Sequence, residues 1–148
     1  MDMKFSLALP REALSIPVVR RVVGDSLRGL GVADDVVDDI LLALSEACTN
    51  VVQHARTSGD YEVTARIDDE SCRIAVMDWG RGLRHARPEP DELAESGRGI
   101  RIMRALMDEL DISAGTDSGT VVHLRKRLTW RDEALIRRLE HRLMHSAG

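Results

Sequence analysis

The stretch SEACTNVVQHA, residues 45–55, lies in a longer segment whose apolar residues follow helical spacing. From about Ala33 to Ala55 apolar side chains recur every three or four positions, which predicts an amphipathic helix. Glu46 and Asn50 stand one turn apart and fall outside the apolar arc of this helix. Position alone would make them part of a solvent-exposed face.

The distribution of charge argues against a freely exposed face. From Ile40 to Ala55 the only charged residue is Glu46, although 31% of the whole chain is charged. An open outer face of this length should carry about five charges, so something other than bulk water is expected to cover it. An amide oxygen is a hard ligand suited to Mg²⁺, and a carboxylate can accept a proton from an attacking hydroxyl. Together these two groups have the chemistry of phosphoryl transfer.

Two glycine-containing motifs follow downstream. In VMDWGRGL, Asp78 ends a predicted strand, and Gly80 and Gly82 would let the backbone turn sharply against a flat ligand. A carboxylate at such a corner can accept a hydrogen bond from an exocyclic amine such as that of adenine. In GRGI, Gly97 and Gly99 are predicted to open a helix, where free backbone amides would form an anion site.

The last motif is Gly119-Thr120, at the start of the final predicted strand, where a hydroxyl could reach the same pocket. Each of these motifs alone is more typical of a simple turn. Neither a GxxxxGK[ST] sequence nor a GxGxxG sequence occurs, so a bound nucleotide would be held without a P-loop or a dinucleotide fingerprint.

Hydrophobic periodicity predicts the order β-α-α-β-β-loop-α-β-β. Strands grouped against helices in this way favour an α+β fold, a two-layer sandwich with helices on one face of a mixed β-sheet. Residues 1–128 would form this domain, and residues 129–148 a charged C-terminal helical tail. The predicted strands are 3–9, 61–68, 71–78, 109–113 and 120–128; the predicted helices are 16–30, 33–55 and 99–110; and 79–97 is predicted to be a long loop.

Composition is that of an ordinary globular domain of 148 residues with a net charge of -4, which argues against a broad nucleic-acid surface. Cys48 and Cys72 lie in apolar runs without CxxC spacing and are predicted to be buried free thiols, with a disulfide or metal pair as the alternative. No signal peptide and no run of about 20 apolar residues is found, which predicts a cytoplasmic protein.

Taken in order, the motifs resemble the N, G1, G2 and terminal boxes of the GHKL ATPase superfamily, whose histidine-kinase-like ATPase domain has the Bergerat-type fold. The resemblance spans about residues 36 to 128. Within the superfamily, SEACTNVVQHA, GRGIRIM and GTVVHLRKRL are similar to the anti-sigma-factor serine/threonine-protein kinases. The motifs are ExxxN (Glu46, Asn50), DxGxG (Asp78, Gly80, Gly82), GxG (Gly97, Gly99) and GT (Gly119, Thr120).

This resemblance implies an anti-sigma factor with ATP-dependent protein serine kinase activity. Such a protein would sequester a sigma factor and phosphorylate a serine of a STAS-domain anti-anti-sigma partner, with ATP and Mg²⁺ as cofactors. It implies no direct contact with nucleic acid or membrane, and it suggests a homodimer. The implied roles are general base for Glu46, Mg²⁺ binding for Asn50, a hydrogen bond to the adenine amine for Asp78, pocket and phosphate lid for Gly80, Gly82, Gly97 and Gly99, and assistance at adenine for Thr120.

Two other functions are compatible with the same motifs. One is a nucleotide-gated binding module that regulates a partner by occlusion without phosphoryl transfer. The other is a stand-alone ATP-binding half that works with a separate histidine-containing protein. Glu46 favours the kinase, because occlusion needs no base. The tail, residues 129–148, could pack on its own domain, pair with a second copy or bind a partner.

Overall fold

The computed structural model describes residues 1–53, 59–78, 90–114 and 119–131. In these residues the chain forms three helices and five strands in the predicted order. The elements are β1 (Asp2–Pro10), α1 (Ser15–Leu30), α2 (Asp34–Gln53), β2 (Asp60–Asp68), β3 (Ser71–Asp78), α3 (Pro90–Leu106), β4 (Glu109–Ala114) and β5 (Thr120–Arg127).

The strands form one sheet in the order β1-β2-β3-β5-β4. The predicted two-layer α+β fold is confirmed, but the sheet is not mixed: every neighbouring pair of described strands is antiparallel. β3 and β4 run in the same direction, because each of them is antiparallel to β5. β5 lies between these two strands, so β3 and β4 do not form the parallel pair that would have made the sheet mixed.

Alternate side chains of the sheet point toward the helices and are buried. In β2, for example, Tyr61, Val63, Ala65 and Ile67 are fully buried, whereas Arg66 is exposed. Opposite them, α1 and α2 present apolar stripes that include Val23, Leu27, Ile40 and Leu44, all with no exposed surface. The hydrophobic core therefore lies between one face of the sheet and the helical layer. None of the described helices is both long and apolar enough to cross a membrane.

α1 and α2 pack closely at a glycine. A Cβ atom added to Gly24 would lie 3.0 Å from Cδ1 of Leu41 and 3.1 Å from a guanidinium nitrogen of Arg28. By contrast, nothing lies within 4 Å of a Cβ atom added to Gly29 in the same helix. Gly24 is therefore at a close helix contact, and Gly29 is not.

These two glycines form a matched pair for a stability measurement. Gly29→Ala should raise the free energy of unfolding by about 0.5–1 kcal/mol, because alanine is the better helix former. Gly24→Ala should be less stable than Gly29→Ala by about 1–3 kcal/mol, because its methyl group must displace Leu41. Urea denaturation followed by circular dichroism measures both. Equal stabilisation by the two substitutions would contradict the close contact.

α3 begins earlier than predicted. Instead of starting at Gly99 after a loop that ends at residue 97, the helix starts at Pro90, a residue that suits the first turn because its missing amide hydrogen has no partner there. Gly97 and Gly99 consequently lie inside α3, so the prediction that they open a helix and offer its free amides is wrong. Residues 79–89, which contain Gly80 and Gly82, lie outside the described residues.

Both cysteines are free and buried, as predicted. Burial disfavours the thiolate and raises the pKa of both Cys48 and Cys72 to about 12. These thiols are therefore part of the core and not reactive groups.

The chain after β5 returns to the turn between α1 and α2. The backbone amide of Ala33 donates to the carbonyl of Thr129 at 2.9 Å, and the amide of Arg131 donates to the carbonyl of Gly31 at 2.8 Å. The indole of Trp130 donates to the carbonyl of Asp69 at 3.2 Å. Residues 129–131 thus pack on the domain itself, while the rest of the predicted tail, 132–148, lies outside the described residues.

Candidate functional site

The structure brings Glu46 and Asn50 of α2 together with Gly99 of α3. A Cβ atom placed on Gly99 would lie 3.3 Å from Oε2 of Glu46, 3.3 Å from Nδ2 of Asn50 and 3.4 Å from its Oδ1. Both polar side chains are partly buried. At Glu46 and Asn50 the nearly uncharged side of α2 is therefore covered by α3, whereas Leu42 on the same side is 45% exposed.

Glycine at position 99 leaves room for this approach. Glycine inside a helix costs roughly 1 kcal/mol relative to alanine, so a glycine at this position needs a compensating reason. The short distances to Glu46 and Asn50 supply that reason, since any side chain would press on the two polar groups. Gly97 has no such neighbour, because nothing lies within 4 Å of its added Cβ atom.

Asp78 and Thr120 lie side by side at one end of the sheet. Asp78, the last residue of β3, pairs directly with Thr120, the first residue of β5. Asp78 also pairs with the buried Tyr61 of β2, which places the carboxylate on the face of the sheet that the helices cover. The DxGxG carboxylate and the GT hydroxyl, 42 positions apart in the chain, are thus neighbours.

A buried hydrogen-bond cluster positions α2 over this end of the sheet. The hydroxyl groups of Ser15 and Tyr61 are 2.7 Å apart, and Tyr61 also interacts with the thiol of Cys48. Burial is the main cause that raises the pKa of Tyr61 to about 12, so its hydroxyl stays protonated. Cys48 lies between Glu46 and Asn50 in α2. Its interaction with Tyr61 therefore holds this turn of α2 above the end of the sheet where Tyr61 pairs with Asp78.

Arg11 is a site residue that no sequence pattern indicated. Its guanidinium group donates to Oδ1 of Asp78, and its side chain is only 5% exposed. A buried guanidinium needs an anionic partner, and Asp78, 18% exposed, provides one. The only local signal is that Arg11 follows Pro10, the last residue of β1, which gives no hint of a partner in β3.

Comparison with known proteins identifies the fold that holds this site. The family model described as the histidine kinase-like ATPase domain matches residues 9–126, which is most of the chain. The chain belongs to this family. The ATPase fold expected from the four motifs is thereby confirmed, and so is the use of ATP that the family name implies.

Curated relatives of this histidine kinase-like ATPase domain are protein kinases. The serine-protein kinase RsbW of Bacillus licheniformis is 32% identical over 133 residues, which cover 80% of this chain and 82% of that protein. The serine-protein kinase RsbW of Bacillus pumilus is 29% identical over 138 residues, covering 82% and 84% respectively.

A solved structure gives the same answer for the fold. The crystal structure of the RsbU and RsbW domains of Rv1364c from Mycobacterium tuberculosis matches with a TM-score of 0.65 and 25% sequence identity. The match covers 85% of this chain and 32% of that longer chain. The similarity therefore concerns one part of a larger protein.

The donor groups of the site fit a metal that arrives with phosphate. Among the described residues no group of three or more His, Cys, Asp or Glu side chains could hold a metal ion. Mg²⁺ needs no such cage, because it keeps several waters and is commonly bound by one or two protein oxygens together with substrate phosphates. The amide oxygen of Asn50, next to the carboxylate of Glu46, is a donor of this kind.

Proposed function

We propose that this chain is an anti-sigma factor with ATP-dependent protein serine kinase activity. It sequesters a sigma factor and transfers a phosphoryl group from ATP to a serine of a STAS-domain anti-anti-sigma partner. One observation supports the catalytic part above all others: in a chain whose curated relatives are serine-protein kinases, Glu46 and Asn50 meet at Gly99. Both partners would place this activity in the cytoplasm.

The sheet end of the site binds the base of the nucleotide. The carboxylate of Asp78 accepts a hydrogen bond from the adenine amine, and the hydroxyl of the neighbouring Thr120 assists there. Arg11, paired with Asp78, holds the carboxylate in place. The resemblance to the GHKL motifs assigns Gly80 and Gly82 to the same part of the pocket.

The helical end of the site binds the phosphates. Asn50 provides its amide oxygen as a ligand to Mg²⁺, and Gly97 and Gly99 belong to the segment that covers the phosphates. Mg²⁺, when bound, neutralises charge on the phosphate oxygens during transfer. The closeness of Gly99 to Asn50 supports this arrangement.

Glu46 acts as the general base. Its carboxylate lies one helical turn from Asn50, so it can accept the proton of the serine hydroxyl as that oxygen attacks the γ-phosphorus. The bond from the γ-phosphorus to the bridging oxygen breaks, and ADP leaves. The products are ADP and a phosphoserine on the partner protein.

A phosphotransfer assay with labelled ATP and a panel of STAS-domain proteins tests this proposal. The expected product is an alkali-labile, acid-stable phosphoserine on the partner. Tight nucleotide binding without any transfer would instead indicate a nucleotide-gated module that acts by occlusion. An acid-labile phosphohistidine would indicate the ATP-binding half of a histidine kinase.

Binding of nucleotide can be tested first, without a partner. At 100 times its Kd, Mg·ADP should stabilise the native protein by about 2.7 kcal/mol, because it binds only the folded state. For a domain of this size this corresponds to a rise in Tm of roughly 5–10 °C. Differential scanning calorimetry with and without ligand measures the shift, and EDTA should abolish most of it. An unchanged Tm at saturating Mg·ADP would contradict the proposal.

A further inference from the structure

Four basic side chains lie side by side on the outer face of the sheet, the face turned away from the helices. Lys4 of β1 pairs with Arg66 of β2, Arg66 pairs with Arg73 of β3, and Arg73 pairs with Arg125 of β5. These four residues are called the basic row here. They are far apart in the sequence and come together only through the register of the sheet.

The basic row carries an electrostatic cost within the domain. Like charges directly opposite each other on neighbouring strands are destabilising, and this row contains three such contacts. Arg66 donates two hydrogen bonds to Asp2, at 3.1 and 2.9 Å, but both side chains are more than half exposed, at 54% and 56%. Arg125 reaches the exposed Glu109 only at 3.4 Å. Arg73, in the middle of the row, makes no ion pair among the described residues, although the pKa of Asp68 is lowered by backbone hydrogen bonds and, to a smaller extent, by the charge of Arg73.

The row borders a depression with unsatisfied hydrogen-bonding capacity. A cavity of about 620 Å³ lies on this face and is lined by all four basic residues. Next to the row, the small side chains of Thr64 and Ala75 pair across β2 and β3 and leave room above the sheet. Arg125 is one of the residues that line the cavity, and its Nε is buried without a hydrogen-bond partner among the described residues.

We propose that the basic row is a docking surface for an acidic segment of a partner protein. Guanidinium groups bind carboxylates through paired hydrogen bonds, and such a segment would offset the positive charge concentrated around Arg73. Neighbouring strands are about 4.8 Å apart, so the positive charges of the row recur at about this interval. Side chains one turn apart on a helix are separated by a similar distance, about 5–6 Å. An acidic helix lying across the strands fits this spacing.

The surroundings of the row favour separate carboxylates over a continuous polyanion. Asp2, Glu109 and Asp111 flank the row and would repel an unbroken line of phosphates, whereas individual carboxylates can avoid them. The net charge of -4 acts in the same direction. The surface lies on the side of the sheet opposite to Glu46 and Asn50, so docking there does not compete with nucleotide.

The test uses a labelled helical peptide with glutamates at i, i+4 and i+8, together with its glutamine counterpart. Fluorescence anisotropy should show binding of the glutamate peptide only, weakening as salt rises. The double substitution R66Q/R73Q should weaken binding about tenfold, since it removes two charge pairs. Its melting temperature should stay close to that of the unsubstituted protein, because reduced repulsion within the sheet offsets the loss of the exposed pair between Arg66 and Asp2.

The matched control is R21Q/R104Q, which removes the same charge from exposed arginines on the helices. It should bind the peptide like the unsubstituted protein, and saturating Mg·ADP should not change the affinity. Absence of peptide binding, or equal weakening by both double substitutions, would overturn the proposal. The proposal would also be overturned if R66Q/R73Q weakened binding of a DNA or RNA oligonucleotide or of anionic lipid vesicles while leaving binding of the glutamate peptide unchanged. Because nucleotide is not needed, failure here is separate from failure of the proposed kinase activity.

Discussion

Glu46→Gln should bind Mg·ATP like the unsubstituted protein and lose phosphoryl transfer by about 10²- to 10⁴-fold, the usual contribution of a general base. Glutamine keeps the size of the side chain and its place beside Gly99, on which an added Cβ atom would lie 3.3 Å from Oε2 of Glu46. It cannot, however, accept the proton of a serine hydroxyl. The effect should therefore fall on the rate of transfer and spare affinity.

Single-turnover transfer to a STAS-domain partner measures the rate, and isothermal titration with Mg·ATP measures the affinity. A useful control is Glu109→Gln, which also removes one carboxylate, from an exposed position on β4. It should leave both quantities unchanged. If Glu46→Gln transferred the phosphoryl group at the original rate, Glu46 would not be the general base, whatever its effect on nucleotide binding.

Asn50→Ala should have its largest effect on the affinity for the Mg·nucleotide complex. Loss of the amide oxygen removes the proposed protein ligand of Mg²⁺, and hydrogen-bonding or coordinating contacts to charged groups of this kind are worth roughly 1.5–3 kcal/mol. We expect affinity for Mg·ADP to fall roughly 10- to 100-fold, with no transfer detectable at ATP concentrations that saturate the original protein. Folding should be preserved, because Asn50 is only partly buried and lies outside the apolar stripe of α2.

The matched control is Gln53→Ala, which removes a second amide from the exposed side of the same helix, about one turn further along. Titration with ADP in EDTA separates the two roles that Asn50 could have. If Asn50 acts through Mg²⁺, its substitution should matter far more with the metal than without it. Equal losses under both conditions would instead assign Asn50 to direct contact with the nucleotide or to packing.

Local sequence patterns were sufficient to predict the order of the helices and strands and the family of the protein. The change of apolar spacing from helical to alternating at β2 predicted the element order, because each period reflects how that backbone buries one face. The four motifs placed the chain with ATPases because each combines a chemically specific residue with an element boundary. The almost uncharged side of α2 also predicted that something other than bulk water covers Glu46 and Asn50, and in the structure Gly99 of α3 lies beside both.

The same local approach failed at α3. Gly97 and Gly99 suggested a helix start, since glycine is a poor helix former, but in the structure α3 continues back to Pro90. A glycine can lie inside a helix when its missing side chain allows a close contact, and Gly99 has that contact with Glu46 and Asn50. The presence of such a neighbour cannot be detected from the local sequence.

The amino-acid sequence by itself determined the order of the helices and strands, the apolar side of most of them, and the family to which the chain belongs. Only the tertiary structure decided the antiparallel sheet, the pairing of Arg11 with Asp78 across 67 positions, and the alignment of the basic row. The physical reason is the range of the forces involved. Hydrophobic periodicity acts on neighbours in the chain, whereas ion pairs and cross-strand contacts depend on distances that exist only after the sheet has its register.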